Sequence, residues 1–312
     1  MSQDAQMSLM QFTDGESCAM RSMEWGLGCR LPIDDWVWLN REGVFQVPSL
    51  RQFVAPFPPV ELMHNVSGLQ NEKDFASHGA DFYLALTEAS PIPLTEYQSI
   101  LDFGCGCGRL ARMFKGHPAR ISACDIDGRH VQWVDQNLHY VEVRQTSVRP
   151  PLPHGDNEFD AIVSISVFTH LNEKSQDEFL AELYRISARK GHLLLTVHGT
   201  RALERALNES QVRSMIAVDE KLFQNACHAF SEGKHAFILQ QGHLTSSRQS
   251  RLRRILSRVS GQCVINEPFE YGVTFIPESY IRQHWGKWFE IVDYRAGAIH
   301  SFQDIVVLKP RK

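Results

Sequence analysis

The stretch ILDFGCGCGRL, residues 100–110, decides the fold. A short apolar run leads into Asp102, and Gly104, Gly106 and Gly108 then recur at every second position, giving D-x-G-x-G-x-G. Glycine lets a chain turn sharply and lets a ligand approach the backbone. The RLARMF segment that follows reads as helical, and a helix start adds N–H groups without internal partners. The next apolar run, RISACD (120–125), ends in Asp125, 21 residues after Gly104. A carboxylate at that place can accept hydrogen bonds from both hydroxyls of a ribose. Strand, glycine turn, helix, strand and acid together make one nucleoside-binding unit.

The same rhythm continues downstream. VEVR (141–144), FDAIVSIS (159–166) and HLLLTV (192–197) read as further strands. Between them, Val131, Val134 and Leu138 share one helical face over 129–138, and Phe179, Leu183 and Ile186 share another over 175–187. Asn172 stands where a cap for the second helix belongs. Strands alternating with helices predict an α/β fold with a mostly parallel sheet. YIRQHWGKW (280–288) predicts a helix, and FEIVDY (289–294) and DIVVLK (304–309) predict two closing strands. Their connection, RAGAIHSFQ, is too short for a helical crossover, so this pair is expected to be antiparallel.

These boundaries divide the chain into four parts. Residues 1–95 form an N-terminal cap, with the breaker cluster PFPPV (56–60) and a helix over 73–90. Residues 96–200 form the nucleoside-binding core. Residues 201–275 break the rhythm and read as a helical lid insertion on the substrate side. Residues 276–312 return to the core with its final helix and strands.

Composition narrows the class. The 312 residues are 43% hydrophobic and 22% charged, with a net charge of −4, which is ordinary globular composition. A dedicated nucleic-acid binder carries a basic excess, so nucleic acid is disfavoured as a partner. The seven cysteines form no CxxC pairs, so neither a disulfide framework nor a zinc site is expected, and no metal is assigned. The first residues lack the basic start and apolar run of a signal peptide, and no run of 18 apolar residues occurs. The expected location is the cytoplasm.

Four blocks resemble the class I (Rossmann-like) S-adenosylmethionine (SAM)-dependent methyltransferases. LDFGCGCGR is similar to that superfamily's first motif, and CDID (124–127) to the acidic end of its second strand. PPLPHGDNEFDAIVSISVFTHL (150–171) resembles the segment around its fourth strand. LYRISARKGHLLLTVHG (183–199) resembles its fifth, with Ser187, Ala188, Arg189, Lys190 and Gly191 replacing the usual L-K-P-G-G. The resemblance covers about residues 98–200 plus the closing strand pair, and is nearest to bacterial small-molecule and glycan methyltransferases. It implies a seven-stranded sheet whose last strand runs antiparallel. SAM is the implied cofactor and S-adenosylhomocysteine (SAH) the product. Asp102, Gly104, Gly106 and Gly108, with Phe103 and Cys105 between them, would lie against the methionine part. Asp125 would hold the ribose, and Ile126 would pack on adenine. Ser147 and Val148 fall at the usual adenine contact, although an acid or amide is commoner there. Ser164 and Ser166 would face the methyl group.

A dinucleotide reading stays open at the loop itself, because Gly106, Gly108 and Ala111 satisfy a relaxed G-x-G-x-x-A. That reading would make the chain an NAD-dependent oxidoreductase. An RNA or protein methyltransferase is the other alternative. A small-molecule or glycan acceptor methylated on oxygen, without a metal, is the leading expectation. Such a hydroxyl needs a base, and His170, His198 and His300 all fall at strand ends where ligands of open α/β sheets bind. Phe75 and Tyr83 are candidates for core or substrate lining, and LMHNVSG (62–68) is expected over the cofactor. In SSRQSRLRRILSRVSG (246–261), Leu252, Ile255, Leu256 and Val259 mark an amphipathic helix. Its Arg248, Arg251, Arg253, Arg254 and Arg258 suit either a solvated face or weak contact with a phosphate or anionic surface.

Overall fold

The computed structural model describes residues 31–240 and 269–312; the arginine-rich segment lies outside them. Seven strands make the central sheet: β1 (Ser99–Phe103), β2 (Arg120–Asp125), β3 (Val141–Gln145), β4 (Phe159–Ser164), β5 (Ser187–Val197), β8 (Phe289–Ile299) and β9 (Gln303–Pro310). Their order is β3-β2-β1-β4-β5-β9-β8. The first five run parallel, and β9 lies antiparallel between β5 and β8. The expected closing hairpin is therefore present, and its last strand is the antiparallel one.

Alternation along each strand feeds two cores, because successive side chains leave a strand on opposite faces. Ile100, Val163, Leu194, Ile305 and Val307 face one layer. That layer holds α1 (Ile33–Trp38), α3 (Glu72–Ala89) and α4 (Gly128–Asn137). Leu101, Ile162, Leu193, Leu195, Val306 and Leu308 face α5 (Glu173–Ile186) and α9 (Glu278–His284). Phe75 and Tyr83 are both buried in α3, as core packing requires. The Asn172 side chain accepts from Ser175 N–H at 2.8 Å and so caps α5.

Two local expectations differ from the structure. RLARMF forms no α-helix: turns lead into one 3-10 stretch, Ala111–Phe114, bounded by Gly108 and Gly116, both at positive φ. The glycine loop therefore works without a long helix behind it. Strand β5 also starts early, at Ser187 rather than His192. Proline lacks an N–H; without one, the chain stays extended and Ser187 pairs with Phe159.

The insertion forms its own small unit. Helices α6 (Thr200–Asn208), α7 (Ser210–Ile216) and α8 (Glu220–Ser231) pack with β6 (Ala236–Leu239) and β7 (Gly272–Phe275) around Phe223 and Phe275. Strands β6 and β7 are antiparallel. Backbone bonds from Thr274 N–H to Thr169 and from Ile276 N–H to His198, both 2.8 Å, fasten β7 across the ends of β4 and β5. No described helix is long and apolar enough to cross a membrane.

Candidate cofactor and acceptor site

The glycine loop is built from its backbone outward. Gly104 and Cys105 N–H groups donate to the Cys124 carbonyl at 2.9 and 3.0 Å, tying the loop to β2. Gly104, Gly106 and Gly108 have φ of +78°, +53° and +83°, a region other residues occupy at a cost. Each glycine is also pressed by a neighbour. A Cβ on Gly104 would strike Val167; one on Gly106 would lie 2.8 Å from Val66, and one on Gly108 2.8 Å from Leu138. Val66 belongs to α2 (Val60–Ser67), so the LMHNVSG segment does cover the loop. Cys105, Cys107 and Cys124 are buried free thiols in this packing.

Asp125 joins the loop to the next strand end. Its Oδ2 accepts from Gly106 N–H and its Oδ1 from Asp127 N–H, both at 2.8 Å. Each oxygen keeps a further lone pair for a hydroxyl. Thr146 N–H donates to the Asp125 carbonyl at 3.0 Å, which sets Ser147 and Val148 beside it; Val148 is buried and Ser147 exposed. Ile126 is half-buried at the bend, and its carbonyl accepts from Gln145.

Asp102 is buried, and its Oδ2 has no hydrogen-bond partner. Burial, then the nearby Asp125 charge, raises its pKa to about 7, while Arg109 pulls it down. An orphaned buried carboxylate oxygen beside a glycine cradle suits a cationic nucleoside, and SAM carries both a sulfonium and an ammonium. The residues present therefore fit that cofactor: Asp125 for the ribose hydroxyls, Asp102 for positive charge, and the glycine loop for close approach.

The serines expected near the methyl group divide. Ser164 is fully buried and donates to the Phe103 carbonyl at 3.0 Å, which locks β4 to β1. Ser166 has φ +61°, takes its N–H to Thr196 Oγ1 at 2.8 Å, and accepts from Gln303 Nε2 at 2.8 Å.

The three candidate histidines all lie along the C-terminal edge of the sheet. His170 Nδ1 is 2.7 Å from the Gly272 carbonyl, and its ring stacks on Tyr271 at 4.5 Å. His198 lies 6.4 Å from His170 and 4.8 Å from Phe302, ring to ring. Burial, then His170, lowers the His198 pKa to about 3, and its Nδ1 has no partner. His300 sits at φ +52° in the β8–β9 turn, with Nε2 2.9 Å from Asp81 Oδ2. Sequence reasoning missed the groups that α3 brings here: Asp81, and His78, whose ring is 4.6 Å from His300. It also missed Arg109, whose guanidinium covers Phe82 at 4.5 Å. The i, i+3 spacing of His78 and Asp81 on α3 was the available signal.

Residues 100–191 match the family model described as a methyltransferase domain. Over 138 residues the chain is 30% identical to malonyl-[acyl-carrier protein] O-methyltransferase of Bacillus cytotoxicus, covering 41% of this chain and 47% of that protein. The chain thus spans about half the length of that curated relative. Among solved structures, the PH0226 protein of Pyrococcus horikoshii OT3 matches with a TM-score of 0.52 at 11% identity, over 82% of this chain and 100% of that one. That last likeness concerns the fold. Residues 100–191 thus match a methyltransferase domain, set in a Rossmann-like α/β fold whose glycine loop and acids suit SAM.

Proposed function

We propose that the protein transfers the methyl group of SAM to an oxygen of a small-molecule or glycan acceptor, without a metal, in the cytoplasm. The observation that carries this reading is convergence: the glycine loop, Asp125 and the histidines meet at one sheet edge, where ligands of open α/β sheets bind. Bound there, SAM supplies a methyl already activated on a positively charged sulfur. The chain's part is to align the acceptor with that methyl and exclude water, and positioning of this kind can supply roughly 7–11 kcal/mol of a barrier. Ser166 and Gln303 offer polar contacts to an acceptor. Strand β7, fastened across β4 and β5, closes the edge from above. The printed name of the Bacillus cytotoxicus relative, an O-methyltransferase, also supports oxygen as the acceptor atom.

Incubation with SAM and a panel of phenol, 4-nitrophenol, glucose, tyramine and the malonyl thioester of N-acetylcysteamine tests the proposal. SAH release with an O-methylated product is expected. Products methylated only on nitrogen or carbon would contradict it.

A further inference from the structure

We propose that His300, held by Asp81, is the base that takes the proton of a phenolic acceptor. This rests on the oxygen-transfer reading above and narrows it to one residue pair and one acceptor class.

Four histidines share this edge, and they differ in what their rings touch. His170 turns Nδ1 to the Gly272 carbonyl. His198 is boxed by Phe275 and Phe302. Burial, with the neighbouring His300 and Arg109, holds His78 neutral, its pKa lowered to about 4. A carbonyl stabilises an imidazolium less than a carboxylate does, because it lacks the full negative charge. His300 alone among the four has a carboxylate on a ring nitrogen, at 2.9 Å. A carboxylate accepts, so Nε2 carries the hydrogen, and the lone pair of the neutral ring lies on Nδ1. That is the arrangement in which a carboxylate fixes the tautomer and stabilises the charge that proton uptake creates.

The carboxylate is itself prepared for this. Burial pushes Asp81 up, but the His300 hydrogen bond and the Arg41 ion pair outweigh it, so Asp81 stays ionised below its usual range. The dyad spans parts of the chain far apart in sequence: Asp81 and His78 on α3, Arg41 following α1, His300 in the closing turn. Arg109 reaches the same place from the glycine loop, and Gly79, between His78 and Asp81, packs on its carbonyl. Arg205 of α6 donates to the His300 carbonyl at 3.0 Å. His300 and Ser301 both occupy left-handed backbone, at φ +52° and +51°. Left-handed backbone costs a non-glycine residue roughly 1–2 kcal/mol, and such strain concentrates at functional sites. Half-buried Phe302 and Tyr271 add ring faces along the same edge, which suits a flat aromatic acceptor.

The step balances. The acceptor O–H proton passes to His300 Nδ1. The oxygen forms its bond to the methyl carbon as the carbon–sulfur bond breaks, with that electron pair staying on sulfur. The products are a methyl ether, SAH and a His300 imidazolium paired with Asp81, which then loses its proton to water.

The test compares phenol with 4-nitrophenol at a pH where only the latter is already ionised. Wild type, His300→Gln and Asp81→Asn are assayed for SAH release, with SAH affinity and Tm measured alongside. Because a phenolate needs no base, the phenol to 4-nitrophenol rate ratio reports base catalysis and cancels any loss of folded protein. Both variants are expected to lose a hundredfold or more with phenol, less than tenfold with 4-nitrophenol, and to keep SAH affinity within threefold. Equal losses with both acceptors would make the pair a latch between α3 and the hairpin, and no loss with either would remove it from catalysis; each overturns the proposal. Wild type inactive on both phenols but active on glucose would overturn the phenol assignment and leave oxygen transfer standing.

Discussion

Asp125 and Gly106 are joined by a 2.8 Å hydrogen bond from the glycine N–H to the carboxylate Oδ2. One carboxylate thus ties the loop to the end of β2, and we propose that it also holds the ribose. Asp125→Ala is expected to weaken SAH binding by tenfold or more, since a hydrogen bond to a charged group contributes about 1.5–3 kcal/mol. Calorimetric titration with SAH checks this. Unchanged affinity would mean that another acid holds the ribose.

Gly106 lies beneath Val66, and this contact yields a coupled pair. Gly106→Ala should lower stability through the +53° backbone angle and through the clash. Adding Val66→Ala should recover the clash portion only. A double-mutant cycle by urea denaturation is expected to give a coupling of about 0.5 kcal/mol or more. Strict additivity would show that α2 does not rest on the loop.

Asp102 predicts a pH dependence. Its ordinary pKa of 3.8 is raised in the folded chain to about 7. Below 3.8 both folded and unfolded states are protonated. Between the two values the folded state holds the extra proton, so stability falls as pH rises through this window. Measured against Asp102→Asn, which cannot ionise, the Tm of the wild type should drop from pH 5 to pH 8. A constant Tm difference would contradict the burial of this carboxyl.

Gly199, directly after His198, touches the Asp304 carboxylate and the Tyr294 hydroxyl, which bond to each other. Asp304 is 1% exposed and also accepts from Gly297 N–H at 2.7 Å. Gly199→Ala must displace this bonded pair, at a cost of about 1–3 kcal/mol. Urea denaturation measures it, and a loss under 0.5 kcal/mol would mean that the pair yields easily.

The core was legible because periodicity is a local property. Ile100 against Leu101, and Leu194 against Leu193 and Leu195, announce a strand buried on both faces. The hairpin length announced the antiparallel β9. RLARMF misled because its apolar spacing suits a helix, while Gly108 and Gly116 at positive φ on either side cut it to a 3-10 turn. Asp81 and Arg109 were not picked out as site residues for a different reason. Each acts on a group distant in the sequence, and only the packing of α3 on the glycine loop brings them there.

Calorimetry with SAH and NAD on the same preparation tests the central claim most directly. The Asp102, glycine-loop and Asp125 arrangement predicts that SAH binds and NAD does not. Binding of NAD without SAH would contradict it and return the loop to its dinucleotide reading.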